Sequence, residues 1–130
     1  MKRALLTELI LWSGLVAFAA QQSGNMAGQV RQGWLADKDC ASGRAQNDTF
    51  TGTNPECAKR CVSAGSPIVL IDPKNRKLFR IANPRAVVDH VGDQVQITGE
   101  LETNTDTLRV LKLVVLSKGV AECLRPKPQK

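Results

Sequence analysis

Four cysteines, Cys40, Cys57, Cys61 and Cys123, are the residues of this 130-residue chain whose type and spacing could support chemistry. Cys57 and Cys61 are four residues apart in a segment with the pattern of a helix, which would place both sulfur atoms on one face. A regular helical turn does not readily provide the geometry of a disulfide between them. Each of these two thiols is therefore expected to face a partner elsewhere in the fold.

Structural disulfides are the favoured interpretation of the four thiols. With the Cys57–Cys61 pair set aside, two pairings remain: Cys40 bonds to Cys57 and Cys61 to Cys123, or the partners are exchanged. Either pairing would fasten the helix to the end of the first strand and to the segment that follows the last one. Each bridge would contribute about 2–4 kcal/mol, chiefly by restricting the unfolded chain.

A thiolate metal site or a redox centre is the alternative interpretation. Cys40, Cys57 and Cys61 could offer three soft ligands to Cu(I) or Zn(II). The single histidine, His90, falls in a separate predicted element and is not expected to join them. The spacing of Cys57 and Cys61 differs from the Cys-x-x-Cys of thioredoxin-like redox proteins.

The first 19 residues indicate the compartment in which these thiols act. Lys2 and Arg3 precede an apolar run over residues 9–18, and Ala17-Phe18-Ala19 is a small-x-small cleavage pattern. This pattern predicts a secretory signal peptide over residues 1–19. The run is shorter than the roughly 20 residues needed to cross about 30 Å of hydrocarbon, so no stable membrane span is expected after cleavage. The mature protein is expected to be exported, to the periplasm or the extracellular space, where cysteines form disulfides or hold metal.

The remaining residues predict one small domain. Residues 20–27 are polar and predict a flexible lead-in, residues 28–118 contain the predicted elements, and residues 119–130 predict a basic, disordered tail. The expected elements are a strand with a bulge near Gln32 and Gly33, a loop over 40–53, a helix over 55–64, hairpin strands over 67–71 and 77–81, a short helix over 85–91, and strands over 93–99 and 107–116. Five short strands, one helix between the first two and a short helix before the fourth predict a mainly β fold, a small and partly open barrel.

The sequence offers no pattern typical of an enzyme, and we predict none. It has one histidine, no nucleophile elbow and no glycine-rich phosphate loop. A net charge of +6 suits an anionic partner. Nucleic acid is not expected, because export separates the protein from it and few aromatic residues could stack on bases. The candidate binding surface consists of Trp34, Lys77, Phe79 and Arg80, with Trp34 forming either one wall of a groove or a lid over the contact between helix and barrel.

Two motifs carry a resemblance to a known group of proteins. The pattern G-W-L-x-D-x-x-C over residues 33–40, followed by C-A-x-x-C-V-x-x-G over residues 57–65, resembles small exported bacterial domains of unassigned function. The strands over 28–35 and 92–113 resemble the first and last strands of bacterial OB-fold domains, the oligonucleotide/oligosaccharide-binding barrels. The resemblance implies a five-stranded OB-fold-like barrel and an exported location, and implies no activity. Where members of the group carry a histidine ahead of the paired cysteines, this chain has Thr53, Asn54 and Pro55.

The sequence therefore predicts an exported, non-catalytic binding or envelope-associated module without a cofactor. Its expected partner is an anionic small molecule, a glycan or an envelope component. The alternative is a thiolate metal-binding or thiol-redox protein that uses Cys40, Cys57 and Cys61, with Cu(I) or Zn(II) as the cofactor.

Overall fold

The computed structural model describes residues 28–119. Within that range the elements follow in the order β1 (Gln29–Asp37), α1 (Lys38–Gln46), α2 (Pro55–Ser63), β2 (Ile68–Asp72), β3 (Lys77–Ile81), two 3-10 helices (Pro84–Ala86 and Val88–His90), β4 (Gln94–Glu102) and β5 (Thr107–Ser117). The predicted signal peptide, the lead-in, the tail beyond Gly119 and Cys123 lie outside the described residues.

The five strands form one sheet that closes into a ring in the order β1-β2-β3-β5-β4, because β4 pairs back onto β1. β3 and β5 run parallel, and the other four pairs are antiparallel. The predicted mainly β fold with five strands is thereby confirmed. In the range 28–119, the helices are all too short or too polar to cross a membrane.

The interior of the ring is filled by aliphatic side chains around one aromatic ring, that of Phe79, which is 2% exposed. The guanidinium of Arg31 stacks over this ring with its central carbon 5.1 Å from the ring centroid. The other large members of the cluster are fully buried: Leu35, Leu70, Val87, Val91, Val95, Ile97 and Leu108. Ala58 on the inner face of α2 belongs to the same cluster, so α2 is fixed directly to the core.

Gly33 marks a close approach between strands. The register of β1 against β4 runs without a shift over residues 29–34, so the predicted bulge near Gln32 and Gly33 is wrong. A Cβ atom at Gly33 would lie only 1.9 Å from the carbonyl oxygen of Ile71 on β2. A glycine inside a strand can indicate either a bulge or a close approach of another backbone. Gly33 is an example of the second case.

The helical content differs from the prediction in two places. The predicted loop over residues 40–53 begins instead with α1, so two helices separate β1 from β2. α1 was not predicted because its sequence is polar and lacks an apolar face. Only Ala41 of this helix is buried. The predicted short helix over residues 85–91 is replaced by the two 3-10 helices, each of three residues.

Asn83 supports the junction between β3 and β5, where only two residue pairs are formed. Its Oδ1 accepts a hydrogen bond from the backbone N–H of Val110 at 2.9 Å, and its Nδ2 donates to the carbonyl of the same residue at 2.9 Å. The Asn83 amide thus pairs with Val110 as a strand backbone would. The Asn83 side chain therefore continues the hydrogen bonding between β3 and β5 by one residue of β5.

Asp93 connects the start of β4 to the end of β5. Its carboxylate, which is buried, accepts hydrogen bonds from the Lys118 ammonium at 2.8 Å and from the Gly119 N–H at 2.9 Å. The His90 ring nitrogen Nδ1 lies 3.5 Å from the same carboxylate. Desolvation alone would raise the pKa of Asp93, but these hydrogen bonds and the Lys118 charge outweigh it and lower the pKa below 3.8.

We expect Asp93→Asn to lower the free energy of unfolding by about 1–2 kcal/mol at neutral pH, because the amide keeps one acceptor but loses the charge. A carboxyl whose pKa is depressed on folding stabilises the protein above its unfolded pKa, here 3.8, and this stabilisation is lost as the pH falls through the folded value. The difference between wild type and variant in urea unfolding should therefore shrink from neutral pH to about pH 3. Asp106→Asn, which alters an exposed pair with Lys77, serves as the control and should change stability little.

Candidate metal centre

Cys40 is positioned by the junction between β1 and α1. Asp37, the last residue of β1, is the N-cap of α1, and its Oδ2 accepts a hydrogen bond from the backbone N–H of Cys40 at 2.9 Å. Aspartate is a favoured N-cap because its carboxylate satisfies a free N–H of the first turn. The cap fixes Cys40 in the first turn of α1, beside the end of the strand.

Cys57 and Cys61 are positioned by α2. Asn54 is its N-cap, with Oδ1 accepting from the N–H groups of Glu56 at 3.0 Å and of Cys57 at 3.2 Å. Pro55 occupies the first turn, as predicted, and its fixed φ suits that position. The predicted helix is confirmed, and both cysteines lie on the face that turns toward α1.

The three described cysteines form one cluster. The sulfur atoms of Cys40, Cys57 and Cys61 all lie within 4.8 Å of one another. All three are free thiols, and each residue is partly buried. Among the residues of the range 28–119, they form the one group of three or more His, Cys, Asp and Glu side chains close enough to share a metal ion. His90 stands apart from it, against Asp93.

Two thiols of this cluster, those of Cys40 and Cys61, have a raised pKa. Desolvation, and next the charge of the Asp37 carboxylate, raise the pKa of Cys40 to about 11. Desolvation followed by Asp37 also raises the pKa of Cys61. Nucleophilic and redox-active cysteines need the opposite, a lowered pKa that populates the thiolate. Unless a cation replaces their protons, Cys40 and Cys61 are poor nucleophiles.

Asp37 is the residue of the site that the sequence analysis missed. Its side chain is fully buried, and its Oδ1 has no hydrogen-bond partner among the described residues. A buried carboxylate oxygen without a partner is costly unless a compensating charge or donor is present. The available signal was the spacing Asp37-x-x-Cys40, which is typical of an N-cap and the third residue of its helix.

We expect Asp37→Asn to increase the rate at which iodoacetamide alkylates Cys40 in the reduced, metal-free protein. Asparagine is an equally good N-cap but carries no charge, so the pKa of Cys40 should fall. A fall of one unit would raise the thiolate fraction, and with it the rate, about tenfold. The pH dependence of alkylation, followed by mass spectrometry of the Cys40 peptide, measures this. Asp39→Asn, which removes the same charge from an exposed neighbour, should leave the rate unchanged.

The four residues of the predicted binding surface have separate surroundings. The Trp34 indole packs against Gly52 in the connection between α1 and α2, because a Cβ atom at Gly52 would lie 2.7 Å from its Cδ1. Phe79 is buried in the core. Lys77 pairs with Asp106 at 3.1 Å. The structure therefore does not bring the aromatic and basic members together as a stacking platform.

Arg80 lines a groove of about 500 Å³ between the end of α2 and the 3-10 helices. Arg85 stands in the same groove, whose other lining residues are mostly apolar or small, among them Val62, Ile68 and Val88. Neither arginine forms a salt bridge within the part of the chain that the structure describes. An anionic partner remains a prediction. Arg80 and Arg85 are the two cationic residues that line this groove.

Comparisons of the chain with protein-family models, with curated proteins and with solved structures find no match.

Proposed function

We propose that this domain is an exported, non-catalytic binding module whose ligand is a thiophilic metal ion, Zn(II) or Cu(I), held by Cys40, Cys57 and Cys61. The observation that carries the proposal is the approach of all three sulfur atoms to within 4.8 Å of one another. In this proposal the ring of strands is an OB-fold-like barrel, in which one parallel and four antiparallel pairs close the sheet.

The distances between the sulfur atoms are close to those between sulfur ligands of a bound metal ion. Zn–S bonds of about 2.3 Å in a tetrahedral site set neighbouring sulfur atoms about 3.8 Å apart. The cluster, with its upper limit of 4.8 Å, therefore needs to contract by about 1 Å at most. Side-chain rotation is sufficient for this, without movement of either helix.

The scaffold keeps the three ligands in place before metal binds. Cys40 lies in a capped first turn, and Cys57 and Cys61 lie one turn apart on a second capped helix. Ala58, between these two cysteines, is fully buried in the core. Because α2 cannot rotate without exposing this contact, the two sulfur atoms continue to face Cys40. Ligands held on regular elements in this way lose little conformational entropy on binding.

The charge of Asp37 suits a cation at this position. A fully buried carboxylate next to three thiols opposes the formation of thiolates in the absence of metal and attracts a positive ion. Binding would release thiol protons to solvent and bond sulfur to the metal in place of water. The unpartnered Oδ1 of Asp37 would then accept a hydrogen bond from a water bound to the metal.

A disulfide from Cys40 to Cys57 or to Cys61 is the competing interpretation of the short distances between these sulfur atoms. The described cysteines carry no disulfide, and one bridge among three thiols would leave the third thiol without a partner in the cluster. A metal ion engages all three at once. The elevated pKa of Cys40 also disfavours the thiolate that begins thiol–disulfide exchange.

The test is a metal titration combined with a thiol count. The chain from Ala20 to Lys130 would be purified from the exported fraction, and its mass compared with and without reductant. Reduced, metal-stripped protein would then be titrated with Zn(II) and with Cu(I) against chromophoric chelators. We expect free thiols and one equivalent of bound metal. Two disulfides in the exported protein, or no competition with either chelator, would refute the proposal.

A further inference from the structure

The groove that contains Arg80 opens where β3 turns away from β2. Pairing between these two strands ends at Val69 and Arg80, and from Arg80 onward β3 pairs with β5. The gap is bordered by the end of α2 and by the two 3-10 helices, and its volume is about 500 Å³. Sites for small molecules commonly have volumes of about 300–1,000 Å³, so this groove is large enough to be one.

The larger part of the groove is lined by apolar side chains. Ile68 and Ile81 are buried members of the main core, and Val62 packs against that core. Val88, from the second 3-10 helix, is 45% exposed. An apolar ligand that covers these side chains would release the water that now contacts them, which favours binding.

Several backbone and hydroxyl groups of the lining already have partners or are missing. Pro67 and Pro84 have no backbone N–H. The Ser66 hydroxyl donates a hydrogen bond to Asp39 Oδ2 at 3.0 Å, and the Ser66 N–H donates to the carbonyl of Cys61 at 3.0 Å. A bound peptide would bring an N–H and a carbonyl at almost every residue, and these groups need partners when they are buried. The lining therefore favours a ligand without such groups along its length, such as an alkyl chain.

Arg80 and Arg85 are the charged residues among the described residues that line the groove. Both are exposed, and neither forms a salt bridge within residues 28–119. A guanidinium binds a carboxylate through two parallel N–H···O bonds. Two cations beside an apolar lining are therefore complementary to a molecule with a carboxylate at one end and an alkyl chain at the other.

We propose that this groove binds a fatty acid, with the alkyl chain against Val62, Ile68 and Val88 and the carboxylate between Arg80 and Arg85. Binding is non-covalent, and the two guanidinium groups replace water around the carboxylate. The three clustered cysteines are not among the described lining residues, so the inference goes beyond the proposed metal binding and does not depend on it.

Calorimetric titration with dodecanoate, below its critical micelle concentration, tests the inference. The chain from Ala20 to Lys130 would be purified from the exported fraction and freed of bound lipid. We expect one saturable site for dodecanoate. Dodecanol lacks the charge and acetate lacks the chain, so each should bind at least about tenfold more weakly.

Arginine variants locate the site. Arg80→Gln and Arg85→Gln should each lower the affinity for dodecanoate about five- to tenfold, because each removes one charged partner of the carboxylate. Arg109→Gln is the matched control. Arg109 is also exposed and lies on β5, and it is not among the residues that line this groove. Its removal should leave the affinity unchanged.

The outcomes separate this inference from its alternatives and from the proposed function. An equal loss of affinity in Arg109→Gln and Arg80→Gln would show that only net charge matters, and would overturn the inference. Equal affinities for dodecanol and dodecanoate would also overturn it. A short acidic, leucine-rich peptide that binds more tightly than dodecanoate would assign the groove to a protein partner instead. No binding of dodecanoate would refute the inference and leave metal binding by the thiol cluster unaffected.

Discussion

Replacing Cys57 with serine is expected to lower the affinity of the domain for Zn(II) and Cu(I) by at least about 100-fold. Losing only an outer-shell partner of a metal ligand costs roughly 10–100-fold, and here a bonded sulfur itself is removed. Cys57 is the natural choice because it lies one turn from Cys61 on the same helix face and adjoins Cys40 across the cluster. Competition with a chromophoric chelator, on reduced protein, gives the affinity directly.

Ser63→Ala provides the comparison for this variant, because Ser63 is exposed on the same helix and has no part in the cluster. Its affinity should equal that of the wild type. Circular dichroism of both proteins without metal should be unchanged, since a Cys-to-Ser replacement at a partly buried site preserves shape. Equal metal affinity in Cys57→Ser and Ser63→Ala would show that the cluster does not bind the metal.

Gly33→Ala is expected to destabilise the fold by about 3 kcal/mol or more, at the upper end of the cost of overpacking. The added Cβ atom would lie 1.9 Å from the Ile71 carbonyl oxygen and 2.8 Å from its carbonyl carbon, both backbone atoms of the neighbouring strand. A backbone collision cannot be relieved by a side-chain rotation, so β1 and β2 would have to move apart. These strands pair over four consecutive residues ending at Asp37, so the separation would also disturb the cap that holds Cys40. Urea unfolding of the reduced, metal-free protein measures the loss.

Gly43→Ala makes the same chemical change in open space. Gly43 lies within α1, and a Cβ atom there meets no other atom within 4 Å. Alanine is preferred over glycine inside a helix by about 0.5–1 kcal/mol, so this variant should be more stable than the wild type. If both glycine variants shift the urea midpoint in the same direction by similar amounts, the close approach at Gly33 does not limit stability.

The strands and the second helix were predictable because their signals are local. β4 alternates apolar and polar residues, and α2 carries a capping residue, a proline in its first turn and a terminating Gly65 with φ of +107°. α1 has no such pattern, because only one of its side chains, that of Ala41, is fully buried and its only start signal is Asp37 at the end of a strand. The sequence therefore predicts the elements that bury an apolar face. It does not predict α1, which has no such face and is stabilised by its N-cap.

The candidate site was predictable in its members but not in its geometry. The spacing of Cys57 and Cys61 predicts a shared helix face, which the structure confirms. The arrival of Cys40 beside them depends on how α1 leaves β1, which no local pattern indicates. The expected role of Phe79 in a binding surface was wrong, because Phe79 is buried. An aromatic residue flanked by basic ones occurs both in core strands and in exposed strands, so the local sequence does not distinguish the two.

The asparagine amide at the β3–β5 junction has a consequence for the unpaired edge of β5. Beyond the two pairs that β3 supplies, the backbone of β5 would otherwise present unpaired groups to any passing chain. The Asn83 side chain occupies both backbone groups of Val110, so a foreign strand cannot pair with β5 at that residue without displacing it. One amide therefore shortens the stretch of β5 that is open to an added strand.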